Sequence, residues 1–80
     1  MKLERFQIIQ GYRFNLTFDN GQTFDVDLKN LIHRHVSVED LSTARIDLEW
    51  GTLEFHDGKV DIEPKTLYRY VVENYLRHAA

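Results

Sequence analysis

The stretch Ala44-Arg45-Ile46-Asp47-Leu48-Glu49-Trp50-Gly51-Thr52-Leu53-Glu54-Phe55-His56-Asp57-Gly58-Lys59-Val60-Asp61-Ile62 decides the fold. Apolar and polar residues alternate along it in three runs: Ala44, Ile46 and Leu48, then Leu53 and Phe55, then Val60 and Ile62. A period of two is the signature of a strand with one buried face. Residues directly opposed on neighbouring strands share a face, so loop length can be tested against register. Asp57-Gly58 as a two-residue turn sets Phe55 against Val60 and Leu53 against Ile62, and Asp-Gly is among the strongest hairpin signals. Trp50-Gly51 as a two-residue turn sets Leu48 against Leu53 and Ile46 against Phe55. A three-strand meander over residues 44–62 follows.

The same test applies on the N-terminal side. Tyr12, Phe14, Leu16 and Phe18 alternate with polar residues, and so do Phe24, Val26 and Leu28. A three-residue loop, Asp19-Asn20-Gly21, pairs Leu16 with Phe24, Phe14 with Val26 and Tyr12 with Leu28. Such loops close on a left-handed residue, where Gly21 stands. A hairpin over about residues 11–28 is expected. On the C-terminal side, Pro64 marks the first position of a helix over 64–77, where its missing N–H costs nothing. Leu67, Tyr68, Val71, Val72, Tyr75 and Leu76 fall on one half of that helix. Thr66, Arg69, Tyr70, Glu73, Asn74 and Arg77 fall on the other. The apolar half can cover one face of the sheet. The connecting segment 29–43 carries Leu31, Ile32, Val36, Val38 and Leu41 for burial, with Ser37 placed to cap a short helical turn. The fold class is α+β, in one domain spanning residues 1–80.

With this order of elements in place, three segments take on a further meaning. They are Leu16-Thr17-Phe18-Asp19-Asn20-Gly21, Ala44 to Leu53, and Asp61-Ile62-Glu63-Pro64-Lys65-Thr66-Leu67-Tyr68. Together they resemble the bacterial domain-of-unknown-function 2442 family over roughly residues 10–70. Phe55-His56-Asp57-Gly58 stands where that family often has Trp-Pro-(Asn/Gly)-Gly. Glu63 replaces the more usual aspartate before Pro64 and is a poorer helix cap. The resemblance implies a small stand-alone protein or a module joined to a helix-turn-helix regulator. It also implies gene pairs that look like toxin–antitoxin systems. It carries no catalytic residues. Eighty residues are expected to leave no room for a helix-turn-helix.

Composition limits the function classes. The hydrophobic fraction of 42% is that of a globular chain. Without cysteine there is no disulfide, thiol nucleophile or thiolate metal site. Thirteen acids against ten bases give a net charge of −3, which speaks against nucleic acid as the main partner. No apolar run is long enough for a membrane span, and the first residues, Met1-Lys2-Leu3-Glu4-Arg5-Phe6, lack the apolar core of a signal peptide. A cytoplasmic location is expected. There is no nucleophile elbow and no phosphate loop, so no enzyme and no cofactor are expected.

Several residues stand out as candidates for a site. His33 and His35 have the spacing of two metal ligands on one side of a strand, but a third would have to come from His56, His78 or an acid. A solvated loop is the simpler account of them. Asp25 and Asp27 share one side of their strand; they suit a cation or acid–base chemistry, or simply form the polar half of an amphipathic strand. Trp50 in a tight turn is either an exposed anchor for a partner or a lid folded back over an open end of the core, and a small core favours the lid. Tyr70, flanked by Asn74 and Arg77, is an interface residue or an incidental surface tyrosine. Asp25, Asp27, Asp47, Glu54 and Asp61 outweigh Arg13, Arg45 and Lys59 on the faces turned from the helix, so a basic partner would be steered there. The expectation is a non-enzymatic protein-binding module, antitoxin-like, with a basic protein partner. Exposed strand edges also allow a homodimer. The alternative from another class is a small-ligand or metal sensor built on His33 and His35.

Overall fold

The computed structural model describes the backbone of residues 1–79 and the side chains of residues 1–74. Strands β1 (Leu3–Gln10), β2 (Arg13–Phe18) and β3 (Thr23–Asp27) form one antiparallel sheet in the order β1-β2-β3. A four-residue helix α1 (Lys29–Ile32) and a 3-10 turn (Val38–Thr43) lead to a second sheet, β4 (Arg45–Asp47), β5 (Thr52–Phe55) and β6 (Val60–Ile62), in the order β4-β5-β6. Helix α2 (Pro64–Ala79) closes the chain. The architecture is α+β, with two three-strand sheets and a C-terminal helix.

The first hairpin has the register that alternation requires: Leu16 opposes Phe24 and Phe14 opposes Val26. Its loop is Asp19-Asn20-Gly21, closed by the Gly21 N–H on the Phe18 carbonyl, and Gly21 has φ +87°. Strand β1 was not expected from the sequence. It pairs with β2 through Leu3–Phe18, Phe6–Leu16 and Ile8–Phe14, with register shifts between Leu3 and Arg5 and between Ile8 and Gln10. The first shift puts Leu3 and Phe6 on the same face although they are an odd number of residues apart. A bulge therefore hides the strand from any period-two test.

The second sheet keeps the Asp57-Gly58 turn, with Phe55 opposite Val60, Leu53 opposite Ile62 and positive φ at both turn residues. Its other turn corrects the two-residue reading of Trp50-Gly51. Ile46 pairs with Leu53 and Asp47 with Thr52, so the loop is Leu48-Glu49-Trp50-Gly51. The shift moves one strand by two residues, which preserves the faces but removes Leu48 from the core. Leu48 is 88% exposed.

The core lies between the two sheets and the helix. Phe14, Leu16, Phe18, Leu28, Val36, Leu53, Phe55, Leu67 and Val71 are fully buried. Phe14 meets Phe55 edge to face across the sheets, with ring centroids 6.4 Å apart. Tyr68 of α2 meets Phe18 and Phe24 in the same way, at 5.1 and 6.0 Å, which seats the helix on the first sheet. Tyr70 is half-buried and packs against this core, although it belongs to the polar half of the helical wheel. In the connecting segment Ile32, Val36 and Leu41 are buried, and the Tyr12 hydroxyl donates to the Val36 carbonyl at 2.7 Å. Val38 is not buried; it is 56% exposed. Ser37 does sit at the N-cap of the 3-10 turn, but its hydroxyl donates to the Asp40 carboxylate rather than capping the backbone.

One junction joins the two sheets through the backbone. The Leu3 N–H donates to the Gly51 carbonyl at 3.0 Å, while the Lys2 carbonyl accepts from the Asp19 N–H. Gly51 has φ +69°, and a Cβ there would lie 2.2 Å from the Lys2 Cβ and 2.6 Å from its Cα. Only glycine lets the chain pass so close.

Candidate functional site

The loop Leu48-Glu49-Trp50-Gly51 is held from both ends. The Asp47 Oδ1 accepts from the N–H groups of Glu49 and Trp50 at 2.9 and 3.3 Å, and the Gly51 N–H donates to the Asp47 carbonyl at 2.7 Å. A short acidic side chain that gathers the following N–H groups is a local turn-former. Together with the Leu3–Gly51 bond it fixes the loop backbone. The indole of Trp50 does not fold back over the core; it is 66% exposed. The core end that Trp50 was expected to close is already filled by Leu3 of the unforeseen strand β1, which is 2% exposed.

Trp50 overhangs a cleft of about 450 Å³ on the outer face of the second sheet, lined also by Met1, Asp47, Thr52, Glu54, Asp61, Glu63, Pro64 and Lys65. The cleft combines apolar walls with four carboxylates and one lysine. Leu48 stands on the other side of the same loop, near Lys2, Glu4 and Asp19. Glu54 and Asp61 directly oppose one another across β5 and β6. Like charges in that relation destabilise a sheet. Arg45 offsets one of them: its guanidinium reaches Glu54 at 3.0 Å and Asp57 at 2.9 Å. The Arg45 pKa is raised in consequence, chiefly by the hydrogen bond to Glu54. No hydrogen bond or ion pair to the side-chain carboxylate of Asp61 or Glu63 is found among the described residues; the Glu63 carbonyl accepts from the Leu67 N–H at the start of α2.

The other candidates lie elsewhere. Asp25 accepts both hydrogen bonds of a bidentate pair with Arg13, each 2.7 Å, on the outer face of the first sheet. Those bonds hold its carboxyl below the usual aspartate range and raise the Arg13 guanidinium. Asp27 Oδ1 accepts from the Lys29 N–H at 2.8 Å and so starts α1. Both acids thus have structural tasks, and the acidic surface read from the sequence is divided between two sheets. The His33 ring bonds the Lys29 carbonyl at 2.8 Å, and His35 borders a groove between α1 and β6. Among the described residues, no three His, Asp or Glu side chains converge as a metal site would need. Asn74 donates to the Tyr70 carbonyl at 2.7 Å, a bond within the helix. The side chains of Arg77 and His78 lie outside the described residues. Of the residues singled out from the sequence, Trp50, Asp47, Glu54 and Asp61 border the cleft, whereas Asp25, Asp27, His33, His35, Tyr70 and Asn74 do not line it. Asp47, Glu54 and Asp61 could be placed on its floor by alternation; Met1 and Glu63 could not, since β1 and the helix junction bring them there.

The family model described as "Protein of unknown function (DUF2442)" matches residues 3–73. The chain belongs to this family. The match includes β1, which the sequence motifs for DUF2442 did not reach, and all of the second sheet. No curated protein and no solved structure matches the chain. No helix among the described residues is long and apolar enough to cross a membrane.

Proposed function

We propose that this DUF2442 chain is a cytoplasmic, non-enzymatic protein-binding module that holds its partner on the outer face of the second sheet. The observation that supports this is Trp50, presented to solvent on a loop fixed at both ends beside unpaired carboxylates. Tryptophan is the residue most often found at interface hot spots, and a fixed loop lowers the entropy lost on binding. The Glu54–Asp61 opposition weakens the sheet by itself, and such local conflicts tend to fall at functional positions. The acid face favours a basic partner. The gene pairing that the family resemblance implies makes that partner a small basic protein, covered by this chain as an antitoxin covers a toxin. The acids that suggested acid–base chemistry, Asp25 and Asp27, are engaged by Arg13 and the Lys29 N–H.

The test is capture from source-cell lysate with tagged wild type beside Trp50→Ala and the double variant Asp61→Asn/Glu63→Gln. The expected result is a stoichiometric basic protein that both variants release, with Trp50→Ala weakening the purified complex by more than about tenfold. A partner retained by both variants would remove the site. Capture of a second copy of the chain alone would replace the reading with self-association.

A further inference from the structure

The composition of the cleft narrows the chemistry of what enters it. From it we infer that the Trp50 cleft takes an arginine side chain, carried on a basic segment of the protein partner. This rests on the protein-binding reading above and adds the recognised group. The walls are apolar and aromatic, from Met1, Trp50 and Pro64, and the polar groups are mostly anionic: Asp47, Glu54, Asp61 and Glu63 against Lys65. A ligand that matches both must be cationic yet weakly hydrated and flat enough to lie on an indole.

Guanidinium fits that description better than the alternatives. A lysine ammonium is a compact, strongly hydrated charge, whereas arginine stacks on aromatic rings and forks onto carboxylates. A metal ion makes no use of an indole, and the described residues bring no three ligating side chains together. The volume of about 450 Å³ lies in the range of ligand clefts and leaves ample room for an arginine side chain.

The same sheet already binds one guanidinium in the expected manner. Arg45, on the neighbouring strand, lies between Glu54 at 3.0 Å and Asp57 at 2.9 Å. One strand further across, Asp61 opposes Glu54, and no partner for it is found among the described residues. With Glu63 it offers a second carboxylate pair, now beside Trp50. An incoming guanidinium there would also relieve the Glu54–Asp61 repulsion, which a neutral ligand could not do.

Trp50 is the chain's single tryptophan, so its fluorescence reports the site directly. Purified full-length chain is titrated with end-capped arginine and lysine oligopeptides of equal length, at low and at physiological salt. The arginine peptide should perturb the emission and bind about fivefold more tightly than the lysine peptide at physiological salt. Asp61→Asn/Glu63→Gln should weaken it by about tenfold while the thermal midpoint does not fall, since the variant also removes the Glu54–Asp61 repulsion. Binding by Trp50→Ala, followed by amide chemical shifts, should lose the preference for arginine. Equal affinity for the two peptides would overturn the inference, as would an affinity that the double variant leaves unchanged, or no binding at all. If lysate capture yields a basic partner released by Trp50→Ala while the arginine peptide fails to bind, the protein-binding reading stands and the arginine assignment falls. An arginine-selective peptide response with no protein captured would do the reverse.

Discussion

Replacing Gly51 by alanine tests whether the close passage of the chain start over the Trp50 loop is a structural requirement. Two costs act at this position. A left-handed conformation costs a residue with a Cβ about 1–2 kcal/mol. The new Cβ would then stand 2.2 Å from the Lys2 Cβ and 2.6 Å from its Cα, so backbone and not merely a side chain must move. Moving it loses the Leu3–Gly51 hydrogen bond, about 0.5–1.5 kcal/mol. It also lifts Leu3, now 2% exposed, partly from the core, a further fraction of the about 1.5–3 kcal/mol that its burial is worth. The total is about 2–5 kcal/mol, a large part of the roughly 4–12 kcal/mol expected of a chain this size. Gly21→Ala is the control, because Gly21 has φ +87° and nothing lies within 4 Å of its added Cβ. It should cost only the conformational part, about 1–2 kcal/mol. Urea unfolding followed by far-UV circular dichroism measures both. The difference of about 1–3 kcal/mol should also appear in thermal unfolding, where the midpoint of Gly51→Ala should lie about 4–24 °C below that of Gly21→Ala. If the two variants agree within about 0.5 kcal/mol, the close passage carries no energy and the argument from the Lys2 contact is wrong.

Three further outcomes follow from the same structure. Trp50→Ala should change unfolding free energy by less than about 0.5 kcal/mol, since the ring is mostly in solvent; a loss of more than about 2 kcal/mol would mean that it closes the core after all. Phe14→Ala, which removes a ring wholly buried against Phe55 and Phe6, should cost about 3–5 kcal/mol in the same urea assay. The Asp25 carboxyl, followed by carbon NMR, should titrate below the ordinary aspartate value of about 3.9 and return to it in Arg13→Met. Because the folded-state pKa is depressed, the stability that the Arg13 pair adds is present above about pH 4 and lost as pH falls through the folded pKa. The gap between wild type and Arg13→Met should therefore close on acidification, and a gap that widened would contradict the assignment.

The parts of the fold that the sequence revealed are those in which a face and a turn residue agree. The first hairpin and the Asp57-Gly58 turn were legible because only one loop length satisfied alternation and turn chemistry together. The β4–β5 turn was not, because two- and four-residue loops both keep Ile46, Leu53 and Phe55 on one face. Alternation cannot distinguish registers that differ by two residues. The deciding signal was Asp47, whose side chain gathers the N–H groups of Glu49 and Trp50 and starts the longer loop. Strand β1 was concealed by its own bulge. That omission also misplaced Trp50, since the open end it was expected to cover is filled by Leu3. Tyr70 shows the limit of the helical wheel: a ring well inside the polar half still packs against the core. The candidate site was half visible, in Trp50 and the alternating acids, and half dependent on a junction that no local pattern announces.

That junction also affects the order of events in time. The hairpins β2–β3 and β5–β6 join near neighbours and can form on the scale of about 1–10 μs. The Leu3–Gly51 bond joins positions far apart in the chain and forms only when both sheets exist to hold its ends. It therefore belongs to the downhill side of the folding barrier. Gly51→Ala should accelerate unfolding and leave the refolding rate nearly unchanged. The contact that completes the fold would then act as its latch, setting how long the assembled molecule lasts rather than how quickly it is made.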